Sequence, residues 1–307
     1  MKPFFLGFEK MASTKATYKK IDFQSLNPSN KNEIWSVKID GAHSITDLEA
    51  GKTPRLFSHR VSKRTGDPIE YTQKLPHIKS KSPFDAKIRT EVFAVTKDGV
   101  AVHPDIVTAM LNSGTEKSLE LQKRLGIKTK TAIIDVDEFN GESYRNKPYK
   151  EKLKVMKLIS KKTPDFILPD MAKGTKKKKT LYEKMIAGAH PQSKEGLVVH
   201  DMNSPERPFT KAKIIDHHDV YVTDIFHEKN VKEGRKPMAG GFTYSWEPGG
   251  KSIGRIGTGF SHSMKEDMMR NPKDYIGRAA KVKALDISKN KVLVKPSFDG
   301  WHVEKNL

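Results

Sequence analysis

The chain has 307 residues, a length typical of two domains. Lysine and arginine number 57 against 37 acidic residues, and the net charge of +20 favours a polyanionic partner, nucleic acid ahead of an anionic membrane surface. The absence of cysteine excludes disulfide bonds, thiolate metal sites and cysteine nucleophiles, and it fits a reducing cell interior. No apolar run approaches the roughly 18 to 20 residues of a membrane span, and the first eight residues lack the pattern of a signal peptide.

The first two thirds of the chain predict an arm followed by one domain. Residues 1–30 are basic with weak periodicity, and they predict an N-terminal arm containing one helix. Over residues 31–216 β-branched runs alternate with helical patterns. Strands are predicted at 34–39, 55–60, 87–95, 131–138, 196–200 and 209–213, and helices at 104–112, 117–125, 149–160 and 180–187.

Two stretches of this domain predict more specific features. The third predicted helix has apolar residues at helical spacing, which indicates a stripe packed in the core: Tyr149, Leu153, Met156 and Ile159. The lysine-rich run 173–179 predicts a charged loop that clamps phosphates.

The composition changes after about residue 216. Strands are predicted at 219–226, 251–256, 279–285 and 291–295, separated by glycine-rich turns. The glycines that mark these turns are Gly234, Gly240, Gly241, Gly249, Gly250, Gly257 and Gly259. The pattern predicts a small β-barrel over residues 217–307.

The candidate nucleophile is Lys38, in the run Lys38-Ile39-Asp40-Gly41. At the end of a buried strand, Lys38 and Asp40 would project from the same face. Lysine becomes nucleophilic when neighbouring cations and desolvation lower its pKa. The same four residues are also compatible with an ordinary surface strand that ends in a salt bridge and a turn.

Other charged side chains follow Lys38 in chain order. Arg60 ends the strand 55–60 and could grip a phosphate or a ribose. Glu91 lies within an apolar strand, where a lone carboxylate is costly unless it is paired or bound to a ligand. Glu195 precedes the hydrophobic strand 196–200. Lys211 and Lys213 share one face of a strand, and a phosphate between them would relieve their repulsion.

Taken together, these motifs resemble those of ATP-dependent DNA ligases, within the covalent nucleotidyltransferases that include RNA ligases and capping enzymes. The matched elements over residues 31–307 are Lys38-Ile39-Asp40-Gly41-Ala42-His43, Ser58-His59-Arg60, Thr90-Glu91-Val92, Ile134-Asp135 with Phe139-Asn140-Gly141, Glu195 to Val199, Lys211-Ala212-Lys213 and Gly254 to Phe260. The sequence departs from the family at three places. His43 replaces an arginine, Ile134 replaces an aromatic residue that stacks on adenine, and in the C-terminal element only Lys305 is unchanged, with His302 at its start.

The resemblance implies an α+β fold, with an adenylation domain of antiparallel sheets and helices followed by a C-terminal OB-fold. It implies a minimal ligase of viral, phage or bacterial type that uses ATP and Mg²⁺ and seals nicked duplex DNA. Lys38 would carry AMP, and Lys211 and Lys213 would bind the α-phosphate. The other residues implied to bind the nucleotide are Asp40, Gly41, His43, Arg60, Glu91, Ile134 and Lys305. The implied metal ligands are Glu195, Asp40 and Glu91, the last of which could bind ribose instead. A monomer in the cytoplasm, including the host cytoplasm for a viral protein, is expected.

Two alternatives remain open at this level. One is an RNA ligase or another end-joining nucleotidyltransferase that uses the same lysine. The other is a nick- or end-binding protein with a degenerate core. His43 and His302 favour the binding protein, whereas the retained charged residues of the motifs oppose it.

Overall fold

In the computed structural model, residues 19–62, 65–205, 210–228, 238–288 and 290–302 are described. The contacts divide the chain into two compact units, with the division between Lys213 and Ile214. The sequence places this division after residue 216. No helix among the described residues has the length and apolar character needed to cross a bilayer.

The described residues of the first unit form two sheets and four α-helices. Its strands are β1 (Lys19–Asp22), β2 (Glu33–Val37), β3 (Ala42–Leu48), β4 (Arg55–Val61), β5 (Pro68–Glu70), β6 (Ala86–Val95), β7 (Lys128–Phe139), β8 (Glu142–Ser143), β9 (Phe166–Ile167), β10 (Met171–Lys173), β11 (Gly196–Asp201) and β12 (Thr210–Lys213). Its helices are α1 (Pro104–Asn112), α2 (Thr115–Leu125), α3 (Tyr149–Lys162) and α4 (Thr175–Ile186). The strands pair mostly antiparallel, so the predicted α+β class with antiparallel sheets is confirmed.

The two sheets of this unit have different strand orders. One sheet has the order β1-β12-β11-β2-β10, and the other has the order β5-β4-β3-β6-β7-β8, with β9 paired to β7. The long strands β6 and β7 form the centre of the second sheet. The predicted stripe of α3 is buried in the core with them, since Tyr149, Met156 and Ile159 are fully buried and Leu153 nearly so. The N–H of Lys38 donates to the carbonyl of Gly196 (2.9 Å), which ties the chain just after β2 to the start of β11.

The N-terminal segment enters the first sheet. The sequence predicts an arm over residues 1–30, but Lys19–Asp22 form β1, which pairs in parallel with β12. Phe23 is buried and stacks on Tyr182 of α4 with 4.8 Å between the ring centroids. The buried ring of Phe23 thus fixes the segment directly after β1. The basic composition of the segment does not indicate this contact. The remainder of the predicted arm, residues 1–18, lies outside the described residues.

The predicted loop at 173–179 is wrong. Lys173 ends β10, and α4 begins at Thr175. The buried face of α4 includes Lys178, Leu181 and Met185, which recur at helical spacing. The ammonium of Lys178 donates to the carbonyl of Asn30 (2.6 Å) and lies 5.1 Å from the ring centroid of Trp35. A buried lysine therefore completes a helical pattern that appears as an uninterrupted charged run in the sequence.

In the second unit, the described residues form one larger sheet, a two-stranded sheet and one α-helix. Its elements are β13 (Asp216–His227), β14 (Ala239–Ser245), β15 (Gly254–Ile256), α5 (His262–Arg270), β16 (Ala279–Ala284), β17 (Asp286–Ile287), β18 (Leu293–Val294) and β19 (Ser297–Trp301). The larger sheet has the order β15-β14-β13-β16-β19. Beyond β15, the carbonyl of Thr258 accepts a hydrogen bond from the N–H of Phe298 in β19 (2.8 Å).

Several predictions for this unit need correction. Gly240 and Gly241 lie within β14 and do not form a turn, and the sequence does not predict β14, β19 or α5. At Gly241 a Cβ would lie 1.9 Å from the carbonyl oxygen of Ile256, so the glycine allows close approach of β14 and β15. Strands 251–256 and 291–295 are shorter than predicted, because only Gly254–Ile256 and Leu293–Val294 pair. Gly234 lies outside the described residues.

Candidate functional site

Lys38 and Glu195 meet because β2 and β11 are neighbours. β2 ends at Val37, so Lys38 lies in irregular chain just beyond the strand, and strand alternation does not place Asp40 on its face. The ammonium of Lys38 contacts Oε2 of Glu195, and Nζ of Lys213 lies 2.5 Å from Oε1 of the same carboxylate. The Glu195 side chain is only 3% exposed. One buried carboxylate therefore binds two of the predicted lysines.

The electrostatics of this cluster affect Glu195 and Lys211. Burial would raise the pKa of the Glu195 carboxyl, but Lys38 and Lys213 outweigh burial and hold that pKa below its ordinary value. Burial, together with the nearby charges of Lys38 and Lys213, lowers the pKa of Lys211 to about 8. The site thus contains a lysine that is partly neutral slightly above neutral pH.

Glu91 organises the segment that follows Lys38. Its Oε1 accepts a hydrogen bond from the N–H of Gly41 (3.2 Å), and its Oε2 lies 3.5 Å from Nδ1 of His43. β3 and β6 pair His43 directly with Glu91. At Gly41 a Cβ would lie 2.2 Å from the carbonyl oxygen of Val92, so only glycine allows this approach. Glu91, which the sequence places within an apolar strand, is half-buried and is paired with both the backbone and a side chain.

A cavity of about 1140 Å³ in the first unit brings most of the predicted site together. The predicted residues that line it are Lys38, Gly41, His43, Arg60, Glu91, Ile134 and Lys211. Glu195 and Lys213 do not line the cavity but reach it through their contacts with Lys38 and with each other. Asp40 does not line it, and Lys305 lies outside the described residues.

The cavity also contains histidines that the sequence interpretation did not assign. The ring of His59 meets that of His43 edge to face, with 4.7 Å between centroids. Burial, followed by the charges of His43 and Arg89, lowers the pKa of His59. His200 stacks on Tyr149 with 4.1 Å between centroids, and its Nε2 lies 2.6 Å from Oγ of Ser36. His59 lies within the matched element Ser58-His59-Arg60, and His200 lies in β11 directly after the matched run Glu195–Val199. Their positions beside matched residues are the sequence signal that indicates both.

A buried ion pair lies behind Ile134. Nζ of Lys152 lies 3.0 Å from Oδ1 of Asp135, and neither side chain is exposed. Lys152 also donates to the carbonyl of Pro205 (3.2 Å). The pair links α3 to β7 at the position where Ile134 lines the cavity.

The carboxylates of Glu195 and Glu91 suit a metal ion that is bound together with substrate phosphates, and they do not form a complete metal site by themselves. Among the described residues, no group of three or more metal-ligating side chains is found. Glu195 is already paired with two lysines, and Glu91 with Gly41 and His43. Mg²⁺ is commonly bound by one or two carboxylates together with substrate phosphates, and Glu195 and Glu91 fit that pattern.

Comparisons with known proteins agree with the motifs at the level of the fold. No protein-family model matches the chain, and no curated protein matches it. Among solved structures, one from a study of DNA binding with a minimal scaffold in Lig E DNA ligases is 17% identical, with a TM-score of 0.60 over 93% of this chain and 98% of that chain. A structure of Pmar-Lig_Pre is 16% identical, with a TM-score of 0.63 over 94% of this chain and 67% of that chain. The resemblance to DNA ligases is thus confirmed for the fold.

Proposed function

We propose that this chain is a minimal ATP-dependent DNA ligase that seals nicks in duplex DNA through a lysine–AMP intermediate. The observation that carries the proposal is the cluster of Lys38, Glu195, Lys211 and Lys213, two of whose lysines line the cavity of about 1140 Å³. The likeness to a DNA ligase fold supports it.

The first step is the transfer of AMP to Lys38. The amine attacks the α-phosphorus of ATP, a nitrogen–phosphorus bond forms, and pyrophosphate leaves as its bond to that phosphorus breaks. Lys38 gives up a proton to become nucleophilic. Glu195 orients the amine, and the proton is lost to water, because a carboxyl whose pKa is held low does not retain it. Lys211 and Lys213 stabilise the negative charge that develops on the α-phosphate.

The rest of the cavity holds the nucleoside and its metal. Ile134 packs against adenine, and Arg60 faces the ribose, with Gly41 and His43 beside them. Glu195 and Glu91 would hold Mg²⁺ together with the phosphates, and that ion would neutralise charge on the triphosphate.

The later steps act on DNA. A 5′-phosphate oxygen at the nick attacks the phosphorus of the lysine–AMP bond, and Lys38 leaves as the amine. The adjacent 3′-hydroxyl then attacks the activated 5′-phosphate, so that a phosphodiester forms and AMP is released. Nick sealing of this kind serves DNA replication, repair and recombination. A monomer in the cytoplasm is sufficient for it.

The second unit supplies duplex binding as an OB-fold barrel. Its five-stranded sheet, and the hydrogen bond that joins Thr258 beyond β15 to Phe298 in β19, support this architecture. Its contacts would be mostly to the phosphate backbone, so binding should be independent of sequence and sensitive to salt.

The test is incubation with Mg²⁺ and α-labelled ATP, followed by intact-mass analysis and then addition of a nicked duplex. The wild type should gain one AMP and pass it to a sealed duplex, whereas Lys38→Ala should gain none. Lys52→Ala, at a lysine that is 69% exposed, is the control and should behave as the wild type. Discharge only into RNA would identify an RNA ligase. A folded wild type that binds nicked DNA but gains no AMP would leave only the binding protein.

A further inference from the structure

A second concave surface of the first unit, the lysine groove, has a volume of about 880 Å³ and shares no lining residue with the cavity of Lys38. Among the residues that the structure describes, five lysines line it, together with one acidic residue, Asp165, and apolar side chains. The lysines come from four segments of the fold: Lys79, Lys97, Lys123, Lys128 and Lys130. A groove with one sign of charge concentrates anionic ligands.

The five lysines lack counter-charges of their own. All five are exposed, and none forms an ion pair with a residue that the structure describes. The one acidic lining residue, Asp165, is engaged by the backbone, since its carboxylate accepts hydrogen bonds from the N–H groups of Lys79 (2.7 Å) and Ser80 (2.6 Å). The cations of the groove are therefore available to a ligand.

The polar side chains of the groove floor satisfy one another. The two ring nitrogens of His77 lie 3.0 Å and 2.9 Å from the hydroxyls of Thr129 and Thr131. Gln122 donates to the carbonyl of Lys74 (2.8 Å) and accepts from Thr129 (3.4 Å). Burial lowers the pKa of His77 to about 4, so it adds no charge at neutral pH. The floor accordingly offers few groups that could read the edge of a base.

The position of the groove relates it to the cavity of Lys38. Lys128 and Lys130 lie at the start of β7, and Ile134 of the same strand lines the cavity. Four residues of strand span about 13 Å, which corresponds to about four nucleotide steps of a B-form strand. The side chain of Lys97 packs beside Gly126, since its Cε would lie 3.6 Å from a Cβ built on that glycine. Lys97 thereby completes the wall of the groove next to the end of α2.

We propose that the lysine groove binds the sugar–phosphate backbone of a nucleic-acid strand, independently of base sequence, a few nucleotides from the catalytic cavity. Lysine ammonium groups donate to phosphate oxygens as point charges, and contacts to the backbone position a strand without reading it. This inference rests on the proposed function only for the choice of nicked duplex as ligand.

The experiment compares two triple variants that remove equal charge. The groove variant is Lys97→Gln, Lys128→Gln and Lys130→Gln. The control is Lys154→Gln, Lys157→Gln and Lys161→Gln, at exposed positions of α3 that form no ion pair with a described residue. Binding of a labelled nicked duplex is measured from low to high salt, with two unrelated base sequences. Formation of the Lys38–AMP adduct reports whether each variant keeps its folded cavity.

The groove variant should bind the duplex at least tenfold more weakly near 0.15 M salt, with a salt-dependence exponent smaller by about 2 to 3, as expected for the loss of three phosphate contacts. The control should change much less, and both variants should form the adduct as the wild type does. Acetylation of lysines with and without duplex should show protection of Lys128 and Lys130.

Equal losses in the two variants, or absence of protection at Lys128 and Lys130, would overturn the inference. Protection by a mononucleotide as strong as that by duplex would also overturn it, because the groove would then be a nucleotide site. A wild type that binds duplex through the groove but forms no Lys38–AMP adduct would refute the proposed function and leave this inference standing.

Discussion

The ammonium of Lys38 contacts the carboxylate of Glu195, although 157 positions separate the two residues in the chain. The contact joins the end of β2 to the start of β11, and Glu195 pairs with Lys213 through its other oxygen. The proposed nucleophile is thereby positioned by a side chain that is itself held from two sides.

Among the described residues, Glu195 is the ionic partner of both Lys38 and Lys213, and Glu195→Gln removes that charge. We expect the free energy of unfolding to fall by about 1–3 kcal/mol, because two largely buried ammonium groups lose their counter-charge. Formation of the AMP adduct should slow by at least tenfold. Denaturant unfolding and intact mass measure the two effects.

The control for this prediction is Glu70→Gln, which breaks the ion pair with Arg55 at the surface. It should change stability by less than about 1 kcal/mol and leave adduct formation intact. Similar effects of the two substitutions would contradict the special role of Glu195.

Lys211 should impose a pH dependence on adenylation. Its pKa is lowered to about 8, so the ammonium proposed to bind the α-phosphate is lost as the pH of the free protein rises through that value. We expect kcat/KM for adduct formation to fall above about pH 8 in the wild type. In Lys211→Arg the guanidinium stays charged, and this falling limb should disappear. Superimposable profiles would contradict the assignment.

The same shift predicts how stability depends on pH. Between about pH 8 and the ordinary lysine pKa of about 10.4, the unfolded chain holds a proton on Lys211 that the folded chain has released, so stability should rise with pH in that window. Lys211→Met should lose this rise. Unfolding midpoints at pH 7.5 and 10 for both proteins measure it. If the midpoint changes between the two pH values by the same amount in the wild type and in Lys211→Met, the lowered pKa is wrong.

Gly41→Ala should disrupt the segment after Lys38. The new Cβ would lie 2.2 Å from the carbonyl oxygen of Val92, so the segment must move away from β6 and from Glu91. We expect loss of adduct formation and a destabilisation of about 1–3 kcal/mol. At Gly300 a Cβ would meet nothing within 4 Å, so Gly300→Ala should stay within about 0.5 kcal/mol of the wild type. Full adduct formation by Gly41→Ala would show that the approach is not needed.

Lys152→Met should leave Asp135 buried without its ammonium partner. Neither member of the pair is exposed, so we expect a loss of about 3–5 kcal/mol in the free energy of unfolding. Lys154→Met, at an exposed position of the same helix, should change stability by less than about 0.5 kcal/mol. Equal unfolding midpoints for the two variants would argue that Asp135 is satisfied without Lys152.

The sequence predicts an element correctly where its hydrophobic periodicity and its motif residues indicate the same structure. The apolar stripe of α3 and the β-branched runs of β6 and β11 specify their elements locally, and each carries or supports a motif residue. Lys38, Glu91 and Lys211 were identified by residue type and order along the chain, and the structure brings them to one cavity.

The wrong predictions have a common physical cause. Where the local sequence pattern is compatible with more than one structure, contacts between distant parts of the chain decide which structure forms. Gly240 and Gly241 indicate a turn by composition, yet strand-to-strand approach requires glycine inside β14. Lys178 appears solvated in a lysine run, yet a backbone carbonyl and an indole ring accept its ammonium. No single sequence reveals such partners, since they come from distant positions.

β1 has a practical consequence for shortened versions of this protein. It pairs with β12 and places Lys20 opposite Lys211, so it covers the edge of the strand that bears Lys211 and Lys213. A truncated chain that starts at residue 31, where the motifs begin, would uncover that edge and leave a row of backbone donors and acceptors open to pairing with other molecules. Self-association and impaired adenylation would then arise from the same deletion, even though every motif residue remained in place.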